Sequence, residues 1–247
     1  MGLFNLLKTL FSSKQVAIGN TDPVCPYCEH RLDKMPGRKK KCPACAKSML
    51  VRTRPSDRKK ILIKEDQAVL IEEQWSIANG THDEFLAARR DHQLERARLQ
   101  KQLRRNPSSN EVEYSQLAKS LDHFAKQMQW GFYRTARLAM GDLLKNDQRF
   151  EEALNVYLEV CYIDLNGPNN CGTTEPEILR EDPPFEPEFG LLVMEVICDV
   201  DVLFHNLNLT KAQLKFRFFQ IANNVRSSLG TPLKPNRAWH LLLQDLN

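Results

Sequence analysis

The sequence carries none of the short motifs that accompany catalysis. It has no G-x-S-x-G nucleophile turn, no phosphate-cradling glycine loop, no H-E-x-x-H pair and no dinucleotide fingerprint. Its six histidines (His30, His82, His92, His123, His205 and His240) are scattered. No catalytic residue is assigned, and the expectation is a non-enzymatic protein with no small-molecule substrate. Long apolar runs are missing too: a membrane-spanning helix needs about 20 such residues, and none occurs. Residues 1–14 lack a cleavage site and are too short for a secretory signal. Leu6 stands where a myristoylation signal requires Ser or Thr. These absences point to the cytoplasm, where thiols stay reduced.

What is present begins with cysteine. Cys25-Pro26-Tyr27-Cys28 is followed, after thirteen residues, by Cys42-Pro43-Ala44-Cys45. Each pair forms a tight turn that aims two sulfurs at one point, and the spacer lets the second turn fold back on the first. The spacing predicts a structural zinc site, one Zn²⁺ per chain, held by Cys25, Cys28, Cys42 and Cys45. Four thiolates leave no position open for a catalytic water. The stretch from Val24 to Thr53 resembles the zinc-ribbon family, in which two such knuckles pin a small antiparallel sheet. Zinc ribbons often place glycine just after the second cysteine of each knuckle, whereas Glu29 and Ala46 stand there in this chain. Cys161, Cys171 and Cys198 form no framework and are expected to be reduced, mostly buried thiols.

The net charge of +4 conceals an asymmetry. Residues 22–64 hold 13 basic and 4 acidic side chains, a net +9, which leaves −5 for the rest. A field of that sign favours polyanions. Arg38, Lys39, Lys40 and Lys41 run directly into Cys42; Arg52 and Arg54 follow the second knuckle; Tyr27 stands between two ligands. These seven are the candidate nucleic-acid contacts: the Lys and Arg side chains track phosphates without reading bases, and the Tyr27 ring is placed to stack on a base. Two plainer readings remain open. The cations offset the formal −2 of a zinc tetrathiolate, and Tyr27 packs on the ribbon. The competing function is a protein-interaction adaptor that binds no nucleic acid.

Residues 1–14 read as an amphipathic helix with Leu3, Phe4, Leu6, Leu7, Leu10 and Phe11 on one arc. Packing on this chain or a partner is the favoured use, and a membrane surface the lesser one, given one lysine on its polar face. The ribbon is expected over 22–54 and a helical domain over 65–247, giving a mainly α fold with a small N-terminal β module and about eight helices. Within it, 132–164 resembles a tetratricopeptide repeat. Gly141 and Ala153 let two helices approach, Asn146-Asp147-Gln148 makes the turn, and Phe150 and Tyr157 fill the groove. No second copy occurs, so neighbouring helices must cover the hairpin, and the helical part is expected to dock a protein partner. Residues 166–190 are irregular and proline-rich, with Phe185 and Phe189 suited to wrapping over a core. The whole arrangement resembles uncharacterised microbial proteins in which a zinc ribbon precedes a helical domain.

Overall fold

The computed structural model describes residues 18–246; the amphipathic segment 1–14 lies outside them. The described fold is mainly α with one small antiparallel sheet near the N-terminus. It divides into two compact units, the first ending at Asp91 and the second starting at His92.

In the first unit, strands β1 (Lys40–Lys41), β2 (Ser48–Thr53) and β3 (Lys60–Ile63) form an antiparallel sheet in that order. Leu50 pairs with Ile63, Val51 with Leu62 and Arg52 with Ile61. Successive side chains of a strand point to opposite faces, and here both faces are covered. Met49, Val51 and Leu62 pack with Cys25, Leu32 and Cys42. Leu50, Ile61 and Ile63 pack with Ile71 and Trp75 of helix α1 (Ala68–Asn79). That is why the alternation along β2 is weak in the sequence, and why Ile61-Leu62-Ile63 shows none. The unit thus runs on past residue 54 to take in β3 and α1. A 3₁₀ turn at Glu65–Gln67 leads into α1, and Gly80 ends it in the left-handed conformation that glycine adopts without strain. The Trp75 indole N–H donates to the Thr53 carbonyl at 2.8 Å and so ties α1 to β2. Helix α2 (His82–Leu103) follows, and the division between the units falls inside it.

The second unit comprises the rest of α2, then α3 (Ser109–Lys126), α4 (Trp130–Asn146), α5 (Phe150–Leu165), a single turn α6 (Ile178–Glu181), α7 (Met194–Asn206), α8 (Lys211–Leu229) and α9 (Pro235–Asp245). Against about eight expected helices, the added one is α6, too short to show a period. Ser108 and Glu111 cap α3 reciprocally, as do Thr210 and Gln213 at α8. Helix α5 is central. Residues 153–154, 156–158 and 160–165 are all buried, and α4, α7, α8 and α9 pack around it. Gly141 makes the α4–α5 approach possible: a Cβ there would lie 2.9 Å from the Tyr157 ring.

One buried acid was invisible in the sequence. Glu95, on the α2 face that also carries His92 and Leu99, is 4% exposed. It accepts hydrogen bonds from Arg98, Ser115 and Lys119. The Arg98 guanidinium, then Lys119 and Ser115, overcome burial and hold its carboxyl down at about 2.

Residues 166–190 fold over the core. Asn166 is fully buried; its amide donates to the Tyr162 carbonyl and accepts from the Leu233 N–H, at 2.7 and 2.8 Å. Phe185 is buried and stacks on Trp130 with centroids 5.3 Å apart. Phe189 differs from expectation: it is 75% exposed, although the next residue, Gly190, lies so close to the Leu165 carbonyl that a Cβ there would clash. Cys198 is likewise exposed rather than buried, and so is Phe216, whose place in the apolar aromatic run Phe216, Phe218 and Phe219 suggests core.

Candidate metal centre and its basic surroundings

The two knuckles are built alike, seventeen residues apart. In the first, the Cys25 carbonyl accepts from the Glu29 N–H at 3.0 Å and the Cys25 N–H donates to the His30 carbonyl at 2.9 Å. In the second, Cys42 makes the same two bonds with Ala46 and Lys47, both at 2.9 Å. Val24 bridges Arg31 below the first knuckle, and Lys41 pairs with Ser48 below the second. Pro26 and Pro43 preset the φ of the residue after the first cysteine and remove its N–H. The next donor along, the Tyr27 N–H, reaches the Cys25 sulfur at 3.4 Å. Glu29 and Ala46 take φ values of 61° and 58°. These are the positions where ribbons place glycine, and the non-glycine residues adopt the glycine conformation at a cost of about 1–2 kcal/mol each.

The four sulfurs lie within 4.8 Å of one another. Cys25 Sγ is 3.8 Å from Cys45 Sγ, and Cys28 Sγ is 3.7 Å from Cys42 Sγ. A tetrahedron with metal–sulfur bonds of about 2.3 Å has sulfur–sulfur edges of about 3.8 Å, so the donor set fits a four-thiolate metal site. Cys25 and Cys42 are buried and Cys28 is exposed. At Cys42 burial opposes the thiolate, but the N–H groups of Cys45 and Ala44 and the Cys25 and Cys28 thiols outweigh it, bringing the group down to about 6. At Cys28 the His30 N–H favours the thiolate, while desolvation and the other three thiols push the group up to about 12. Like charges this close cannot all ionise unaided; a bound cation lets them. The exposed His30 ring is not part of the donor cluster.

The candidate nucleic-acid residues separate by surroundings. Lys40 and Lys41 form β1, with both side chains exposed, paired to Met49 and Ser48. Arg38 is exposed ahead of them. Lys39 meets Glu65 at 2.6 Å with both side chains more than half exposed, a pairing of little energetic weight. Arg52 is exposed and folds back on the Val51 carbonyl at 3.0 Å. Arg54 is engaged within the unit: it grips Asp57 through two hydrogen bonds of 3.0 and 2.5 Å, holds that carboxyl down at about 2, and reaches the Ile18 carbonyl. Tyr27 packs against the knuckle core, and its hydroxyl accepts from the Glu65 N–H at 3.1 Å. Beside it stand two cations that sequence reasoning did not single out, Lys47 and Lys64, at 5.1 and 5.7 Å from its ring centroid. The repeat offset could have flagged Lys47, which occupies in the second knuckle the place of His30 in the first. Lys64 comes close only through the β2–β3 pairing.

Among the described residues the seven cysteines are free thiols, and no helix is long and apolar enough to cross a membrane. No protein-family profile, curated protein or solved structure matches the chain.

Proposed function

We propose that the chain is a non-enzymatic, cytoplasmic zinc protein whose basic N-terminal unit binds nucleic acid with little sequence preference and whose helical unit docks a protein partner. One observation carries the first half: exposed Lys40 and Lys41 are a strand, laddered to β2 and leading straight into buried Cys42. Lys40, Lys41, Arg52 and Lys60 thus carry part of the charge of residues 22–64 on an ordered sheet beside the four-cysteine site. Long Lys and Arg side chains track phosphates without reading bases. The second half rests on apolar side chains left exposed on the helical unit, among them Leu191 and Met194. Zinc, when bound, supplies cross-linking of the two knuckles; a closed thiolate set supplies no reactive water.

Titration with duplex DNA tests the binding claim. With about three to five phosphates contacted, log K should fall with log salt at a slope of about −3 to −4. A variant with Arg38, Lys39, Lys40 and Lys41 all changed to Ser should bind more weakly and with a flatter slope, at unchanged zinc content. The adaptor reading predicts no binding by the wild type at low salt, and the four substitutions would then impair only capture of a protein partner.

A further inference from the structure

The first unit is rich in cations and poor in aromatic rings. Among its described residues the aromatic rings of Phe, Tyr or Trp are Tyr27, Trp75 and Phe85. Proteins that hold single strands through their bases use such rings as stacking platforms. Here every one of the three has a cation over its face. Lys47 and Lys64 lie over Tyr27, Arg58 lies 4.5 Å from the Trp75 centroid, and Arg89 lies 5.7 Å from that of Phe85. Two of the rings are also fixed at their polar ends, Tyr27 by the Glu65 N–H and Trp75 by the Thr53 carbonyl. On the face that a cation covers, a base could stack only by displacing it. A phosphate requires no such displacement, because an ammonium over a ring keeps donors directed outward.

Building on the nucleic-acid reading above, we infer that this unit holds the sugar–phosphate backbone alone and stacks no base, with Lys39, Lys47 and Lys64 around Tyr27 as a phosphate-contacting centre. Lys39 is drawn to this place by Glu65, whose own N–H bonds the Tyr27 hydroxyl. Lys47, from the second knuckle, and Lys64, just past β3, thus stand over one pinned side chain, and Lys39, just ahead of β1, meets the carboxylate of the residue whose N–H pins it. Affinity then follows phosphate density. A duplex, with about one charge per 1.7 Å of axis, is held more tightly than a single strand of the same sequence.

The test uses the full-length zinc-loaded chain and three labelled probes of equal length: oligo-dT, a strand of abasic tetrahydrofuran phosphates, and a duplex. The inference predicts equal affinity for oligo-dT and the abasic strand, within about twofold, and tighter binding of the duplex at each of two salt concentrations. Stacking is worth about fivefold or more per base, so oligo-dT binding at least that much more tightly than the abasic strand overturns the inference and leaves nucleic-acid binding standing. Failure of all three probes to bind at low salt ends both readings. Lys47→Ser with Lys64→Ser should weaken all three probes in similar proportion at unchanged zinc content. An unchanged affinity for every probe would remove the lysines from the contact, and a loss confined to oligo-dT would return the ring to it.

Discussion

Removing the metal is expected to dissolve the sheet of the first unit and leave the helices of the second folded. The face of the sheet built from Met49, Val51 and Leu62 has as its partners Leu32 and the knuckle cysteines themselves. Without a cation the thiols cannot all stay ionised side by side, and the left-handed Glu29 and Ala46 turns lose what offsets their strain. Structural zinc contributes about 10–16 kcal/mol of apparent binding free energy in small finger peptides. The second unit rests on a separate core around α5 that includes none of these residues. Hydrogen exchange after chelation should show β2 and β3 amides losing protection while α5 amides keep theirs. Cys42→Ser should reproduce the pattern without chelator. Protection of residues 48–63 that survives metal removal would contradict this account.

The second large effect lies in the helical unit. Asp164, 5% exposed at the end of α5, takes two hydrogen bonds of 2.6 Å from Arg134, whose side chain is 14% exposed. Burial pushes the Asp164 carboxyl up, and the Arg134 guanidinium works against that push. Breaking such a pair on one side leaves a desolvated charge, which costs about 3–5 kcal/mol. Asp164→Ala should therefore lower the unfolding free energy of the helical unit by about that much in urea melts. Arg134→Met combined with Asp164→Leu should recover most of the loss, because an apolar pair of similar volume removes the stranded charge. A single substitution costing less than about 1 kcal/mol would place the pair among solvent-screened surface bridges instead. The pair also shows what the polar run from Asp164 to Asn170 does. Asp164 anchors α4, Asn166 bonds the chain at Leu233, and Asn170 accepts from the Phe132 N–H. These groups fasten a wrapping segment to the core.

The metal knuckles were legible because their determinants are local: two cysteines, a proline and a reversal within six residues. Helix caps have equally local determinants, as where Thr210 and Gln213 open α8 and Gly230 ends it. Hidden features depend on partners distant in the chain. The strand at Ile61-Leu62-Ile63 has no period because each of its faces meets a different neighbour. Glu95 reads as one more charge on a charged helix until Ser115 and Lys119 of α3 come beside it. The surroundings of Tyr27 combine residues 27, 47 and 64, so its ring looked available for a base when only the knuckle was considered. Phe189 and Phe216 carry no sign in their own sequence neighbourhoods that they face outward.

The claim on which the rest depends is that Cys25, Cys28, Cys42 and Cys45 hold one zinc ion in a closed thiolate shell. X-ray absorption at the zinc edge, with elemental analysis of the same sample, measures this directly. The account predicts one zinc per chain and a shell of four sulfurs at about 2.3 Å. Substoichiometric zinc, or a shell containing nitrogen or oxygen at about 2.0–2.1 Å, would contradict it.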